Sequence, residues 1–520
     1  MNLLTDPVFR VRTPDGAGTV SLPELLALLG EDRVESLPGL QRHQEDAFHI
    51  FCCYLAGAVL IRMSENSPRQ TAEFWRKGIR QLTQAEGCED DSAWTLVVED
   101  PTKPAFMQPP APSKEIFERD YKADADSPDA LDVLVTSKNH DVKKSRATNA
   151  SAEAWLFALM SLQTTAGLLG KGSGGGMNRG IGRMNSGYGS RPRVGWLPNA
   201  RAGAQFGRDV SVLLGARQTL LQLPYPYQPV GKVLLWTQPW DGTGSLALGA
   251  LDPFFIEVAR RIRLLASPTG IQAHTSGSMN AFVAAEEMKG NIGDPWIPVT
   301  QRTNGALTIS DAGLTPELLR NLIFGDGYTP AAMQQANNTV AGGWFSASVL
   351  VRGQGRTDGF HSAALRVPEK PRIALFGGGP GRDRLALLSK RGIDAATEVR
   401  KGLRNALFSL MEGGPEKINY DADQVAKWVN SEAKPFDLNW NPRYFDWLWS
   451  TVDIPDETEA LRPWFYDLRR LAQDTLNRAV DRVPQRHGRS YRAKTKAQGI
   501  FFGSLKKNFS QFMEVTHDNP

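Results

Sequence analysis

Alternation comes first in this chain. Phe9 and Val11 are apolar between Arg10 and Arg12, and a Pro14-Asp15-Gly16 turn follows, which predicts a hairpin start. Ser21 and Glu24 have capping-box spacing before LLALL, and Gly30 closes that helix. A long helix is predicted over about 43–63; its run Ala47–Ile61 is apolar on every face but too short to span a bilayer, which needs about 20 residues, so it reads as a buried core helix. The proline-rich stretch 101–112 should be extended and anchored by Phe106 and Met107. The next forty or so residues read as a polar loop, acidic first and basic afterwards. Candidate strands follow at 233–236, 307–309 and 348–352. After about residue 383 the pattern turns helical: Val399, Leu403, Ala406, Leu407 and Leu410 keep a helical period until Gly413-Gly414. Residues 457–480 and 490–513 repeat that character, the last with a stripe of Phe501, Leu505, Phe509 and Phe512. The predicted class is α+β: a large mixed N-terminal domain over 1–382, then an antiparallel four-helix bundle over 383–520.

Composition changes this picture little. At 520 residues, 41% hydrophobic and 22% charged, the chain is ordinary globular material. Cys52, Cys53 and Cys88 make neither a disulfide framework nor a CxxC zinc pair, and the N-terminus has no apolar signal core, so a reducing, cytoplasmic setting is expected. A net charge of +4 is too small to argue for nucleic acid, so distribution decides. Between 481 and 507, eight basic residues, among them Arg489, Arg492, Lys494 and Lys496, face one acid, Asp481. So one-sided a run on a helix favours an anionic partner over a merely solvated face.

The most unusual segment is 167–189, GLLGKGSGGGMNRGIGRMNSGYG. Its formal GxGxxG follows a helix-like run, AEAWLFALMSLQ, where a dinucleotide site needs a strand, and Lys171 is not placed as in a P-loop. Glycines interleaved with Arg179, Arg183, Arg191 and Arg193 suit a phosphate backbone, with amides and guanidiniums as donors. A second glycine loop, 353–359 after SVLVR, reads as a tight hairpin tip. A third, FGGGPG, reads as a linker into the helical region. The histidines at 43, 49, 140, 274, 361, 487 and 517 are scattered, and neither HExxH nor GxSxG occurs, so no enzyme and no cofactor are expected.

Taken in order, NLLTDPVFRVRTPDG, SLPELLALL, PAFMQ, GSGGGMNRGIG, LDPFFIE, GLRNALFSLMEG and PRYFDWLWS resemble the CasA family, the large subunit of the Type I-E CRISPR surveillance complex Cascade. The resemblance implies antiviral defence guided by a crRNA, with double-stranded DNA, its displaced strand, other Cascade subunits and a recruited helicase-nuclease as partners, and no membrane. It implies recognition of the protospacer-adjacent motif (PAM), largely from the minor groove, by a glycine loop matching Gly172, Gly174, Gly175 and Gly176 and by a lysine matching Lys289. It implies a wedge at Thr357, Asp358 and Gly359 that starts strand separation; Asp358 stands where the family pattern can carry a neutral amide. A loop carrying Lys138, Asn139, His140 and Asp141 would dock near the crRNA 5′ handle, and the bundle would meet the small subunits and displaced strand. Two other readings remain: a nucleotide-using enzyme built on the glycine loops, which needs strand-loop-helix context at 167–180, and a purely structural bridging subunit.

Overall fold

The computed structural model describes residues 1–133, 151–165, 168–169, 178–179, 185–186, 189–268, 270–336, 342–353, 356–483 and 487–513. The fold is α+β. The chain forms two compact units: Met1–Leu314 with Asn321–Arg366, and Thr315–Arg320 with Val367–Pro520.

The first unit is built around the Glu45–Arg62 helix. A helix apolar on all sides must be covered on all sides, and this one packs against helices Ala72–Ala85, Ala152–Thr165 and Ala202–Leu220 and strand Leu251–Ile256. Gly57 lets the Ala202–Leu220 helix come close, since a Cβ there would lie 2.9 Å from Leu213. Among the described residues no helix is long and apolar enough to cross a membrane. The predicted hairpin is present as strands Phe9–Thr13 and Gly16–Val20, paired antiparallel. The Leu22–Gly30 helix follows, and the Glu24 carboxylate accepts hydrogen bonds from the Ser21 amide at 2.7 Å and hydroxyl at 2.8 Å.

The PAFMQ run is a knot of turns rather than an extended segment. Phe106 joins Trp94 and Trp236 in an aromatic cluster, with centroids 5.5–5.9 Å apart. Gln108, fully buried, donates to the Leu96 carbonyl at 2.8 Å and accepts from the Leu264 amide at 2.7 Å. A buried amide side chain persists only where its polar atoms are satisfied, which accounts for glutamine at this place.

Several predicted elements differ. The acidic half of the expected loop is ordered as helix Lys114–Asp120, strand Lys122–Ala125 and helix Pro128–Leu131. Serine caps drive this: Ser113 Oγ accepts from the Ile116 amide and Ser127 Oγ from the Ala130 amide. Strand Lys122–Ala125 then adds an edge to the antiparallel pair Arg261–Ser267 and Gly270–Ser276. The 233–236 strand is Lys232–Leu234 only, giving way to a 3₁₀ turn over Leu235–Thr237. The 307–309 strand is replaced by a short pair, Val299–Thr300 with Gly305–Ala306, while Ile309 makes a single bridge to Ser190.

The second unit is helical. Its helices begin at Glu369–Phe376, before residue 383, and the FGGGPG link turns into the long Pro380–Met411 helix through Gly378 and Gly379, both at positive φ. The Pro380–Met411 helix packs against Asp423–Trp440, Glu457–Arg482 and His487–Asn508. Gly392 is the close-approach point: Trp447 and Trp464 stack there with centroids 5.0 Å apart, and Trp464 Nε1 donates to the Gly392 carbonyl at 3.0 Å. The stripe Phe501, Leu505, Phe509 and Phe512 is buried as expected.

Candidate nucleic-acid interface

Three segments singled out by sequence meet in the first unit. The glycine-rich segment leaves the Ala152–Thr165 helix, whose Gln163 is locked in place: its amide donates to the carbonyls of Met107 at 2.7 Å and Arg260 at 3.1 Å, and its oxygen accepts from the amides of Ala259 and Arg260. The segment begins with a small antiparallel pair, Leu168–Leu169 with Asn178–Arg179, so residues 170–177 connect two paired strands. It returns through Gly189–Ser190 into strand Arg193–Leu197. A short strand precedes the glycines, but another strand rather than a helix follows them, which is the wrong context for a dinucleotide or P-loop site.

The return strand is gripped on both edges. On one, Arg193–Leu197 pairs antiparallel with Gly343–Gly353, Arg193 opposite Ser348 and Leu197 opposite Trp344. That strand continues the sheet to Arg356–Val367. On the other, the Val194 amide donates to the Trp296 carbonyl at 2.9 Å. Trp296 closes the segment that carries Lys289.

Lys289 is exposed at the end of a 3₁₀ turn, Glu286–Met288, in the left-handed region at φ 49°. Its carbonyl accepts from the Ala306 amide at 3.1 Å, and Gly305 sits against its Cβ. Gly290 follows at φ +78°; a Cβ there would fall 2.3 Å from the guanidinium of buried Arg191. Glycine is required by conformation and by space alike. Burial lowers the Arg191 pKa to about 10, while Glu257 and Asp294 favour its charged form. The lysine loop and the exit of the glycine segment are therefore packed directly on one another.

The hairpin is anchored in the half nearer its turn. Leu350 and Val133 form a small buried apolar cluster, with Phe360 and Leu162 against it. Val133 is where the 134–150 segment departs, and Leu162 lies on the helix that feeds the glycines. His361 packs on Gly313, where φ is +69° and a Cβ would fall 2.5 Å from the His361 ring.

The profile of the family described as CRISPR-associated protein Cse1 matches residues 2–475. The chain belongs to the Cse1 family. Solved structures agree in fold. CRISPR-associated Cse1 from Acidimicrobium ferrooxidans is 14% identical, with TM-score 0.64, covering 98% of this chain and 99% of that one. CasA from Thermus thermophilus is 14% identical with TM-score 0.66 at the same coverages, and Cse1 from Thermobifida fusca 15% identical with TM-score 0.62, covering 98% of each chain. No curated protein matches in sequence.

In this Cse1-family chain the sequence-predicted residues fall unevenly. Gly172, Gly174, Gly175, Gly176, Arg183, Lys138, Asn139, His140 and Asp141 lie outside the described residues. Arg179 is placed by its backbone in the short pair. Thr357, Asp358 and Gly359 belong to strand Arg356–Val367, on the flank of the hairpin rather than at its turn; the strand reaches further toward the turn than its glycines imply. Gly359 takes φ +143° there, which L side chains rarely adopt.

Arg191 and Arg193 correct the sequence reading. Both are withdrawn from solvent: Arg191 is 2% exposed, and the Arg193 side chain 11%. Arg193 donates to Asp46 at 2.8 Å and lies 3.6 Å from Asp209. A buried guanidinium needs its charge or donors satisfied; Asp46 comes from a helix 147 positions away and Asp209 from the helix that follows the strand, and the spacing around the glycines signals neither.

The second unit carries the basic helix. Ala493, Ala497, Phe501 and Leu505 bury one face of His487–Asn508. Arg492, Lys494, Lys506 and Lys507 are exposed and Lys496 half-buried. Among the described residues none of these five is held in an ion pair. Arg489 lies in the same helix.

Proposed function

We propose that this chain is the large subunit of a crRNA-guided Type I-E Cascade complex in antiviral defence, working in the cytoplasm without catalysis of its own. On this reading it recognises the PAM in double-stranded DNA, starts duplex opening and helps recruit a helicase-nuclease. The observation that carries it is the convergence on strand Arg193–Leu197 of the glycine-segment exit, the Lys289 loop and the hairpin. A minor-groove reader needs a thin backbone and a long cationic side chain on a rigid mount, and the minor groove offers a degenerate code, so several PAM sequences should be accepted. Guide pairing carries the remaining specificity, as in other RNA-guided systems. The 138–141 loop would dock the crRNA handle, departing beside the hairpin cluster at Val133. The division at 382/383 and an antiparallel four-helix bundle after it belong to this proposal, the bundle meeting the other subunits and the displaced strand. The strand Asn178–Arg179 after the glycines, where a nucleotide site needs a helix, weighs against the nucleotide-enzyme reading.

The test is duplex binding by the assembled complex. Lys289→Ala and Gly175→Asp are each expected to weaken binding to PAM-bearing duplex by about tenfold or more while leaving PAM-free duplex little changed, in line with about 1–3 kcal/mol for a good base contact. Parental affinity in both variants refutes the assignment and favours a bridging subunit.

The basic helix is expected to hold phosphates rather than bases. Neutralising Arg492, Lys494 and Lys496 together should weaken binding alike on all sequences and reduce the slope of log affinity against log salt by about 2–3, since each phosphate contact contributes about 0.7–0.9. An unchanged slope makes this run a solvated face.

A further inference from the structure

The three arms of the proposed site share one buried polar cluster. Asp46, on the core helix, accepts from Arg193 Nη1 at 2.8 Å through one oxygen and from the Ser348 hydroxyl through the other. Arg193 belongs to the strand that leaves the glycine segment, and Ser348 to the first strand of the hairpin. On the far side of Arg193, Asp209 lies 3.6 Å from its Nη2. Asp209 also accepts from His49 Nε2 at 2.8 Å, from Trp296 Nε1 at 3.3 Å and from Arg208 Nη1 at 2.7 Å. Trp296 ends the segment carrying Lys289, and Arg208 reaches on to the Met333 carbonyl at 2.8 Å. Burial and then the nearby Arg193 charge disfavour the imidazolium of His49. Two carboxylates thus face two guanidiniums, and the charges balance.

We infer that the Asp46–Arg193–Asp209 cluster is a positioning joint that holds the hairpin, the glycine-segment strand and the Lys289 loop in one register, so that docking of a duplex places the hairpin for opening. This rests on the function proposed above. The physical reason lies in the chemistry of a buried network. Each member is costly to leave unpaired, so a limb cannot shift without exposing a charge, and motions of the limbs become coupled. The limbs are separable. Ser348 connects only the hairpin, whereas Arg193 connects the hairpin-side carboxylate to the one that holds Trp296. Neither is placed to touch DNA, so both are positioning residues.

The experiment uses the fully assembled complex with its crRNA, 2-aminopurine placed beside the PAM to follow opening, and closed and pre-opened PAM-bearing duplexes to follow docking. Ser348→Ala should slow opening of closed duplex about fivefold, with docking unchanged and the chain still folded at the assay temperature although its melting temperature falls, and Ser348→Thr, which keeps the hydroxyl, should restore the rate. Arg193→Lys, which keeps the charge but loses the forked donor, should weaken docking and slow opening together. Opening at the parental rate in Ser348→Ala overturns the joint, as does a slowing that Thr does not rescue or one matched by an equal loss of docking. Failure of the functional reading looks different: Lys289→Ala then docks like the parent, whatever the Ser348 variants do.

Discussion

Alanine in place of Thr357 and Asp358, with Gly359 kept, is expected to slow R-loop formation on closed PAM-bearing duplex by about tenfold or more. Binding to the same DNA with the PAM-proximal pairs already open should stay within about twofold. A wedge supplies something to occupy a vacated base stack, and separating one base-pair step costs about 1.4 kcal/mol, which is about a factor of ten in rate. The strand placement fixes the design of the test. Both residues lie in strand Arg356–Val367, so deleting one would turn every later side chain to the opposite face and deleting both would shift the pairing by two residues. Gly359 stays because its φ of +143° is closed to alanine. Stopped-flow fluorescence of 2-aminopurine on both substrates decides. Equal loss on both assigns the hairpin to docking, and no loss on either makes it an ordinary turn.

Arg193→Met should destabilise the first unit by about 3–5 kcal/mol, the usual cost of leaving buried charges without their partner. Asp46 and Asp209 would then face each other with the intervening guanidinium gone, and only Arg208 would remain beside Asp209. Chemical denaturation followed by the tryptophan fluorescence of the chain measures this, and a loss under about 1 kcal/mol refutes the balance of charges described. The acid limb gives an independent check. Burial opposes ionisation of Asp209, but the hydrogen bond from His49 and the guanidiniums of Arg208 and Arg193 overcome it and hold the pKa at about 2. A carboxylate depressed in the folded state contributes stability that is complete above its unfolded value, near 4, and is lost as pH falls toward 2. Removing Arg193 raises that folded value, so the variant should lose this contribution at a higher pH than the parent.

How much of this was legible beforehand differs between fold and site. The hydrophobic period marked the first hairpin, the capped helix after it, the all-buried Glu45–Arg62 helix and the long C-terminal helices, because those elements are set by which faces must leave water. It misjudged the acidic segment after Ser113, where two serine caps and one edge-strand pairing ordered a stretch whose composition reads as loop.

By itself the sequence determined the α+β class, the core helix, the glycine run after a helix, the basic face of the last long helix and the ordered motifs by which the family is recognised. Each is a property of neighbours in the chain. The tertiary structure alone decided that Arg191 and Arg193 point inward, that Lys289 is mounted on Gly290 and Arg191, and that Thr357–Gly359 lie on a strand. It also decided that one carboxylate, Asp46, serves two arms through partners 147 and 302 positions away. A guanidinium among glycines has the same local pattern whether it meets a phosphate or a buried aspartate. Only the fold, by bringing Asp46 and Asp209 to within a few ångströms of Arg193 and excluding water, settles which anion it pairs with.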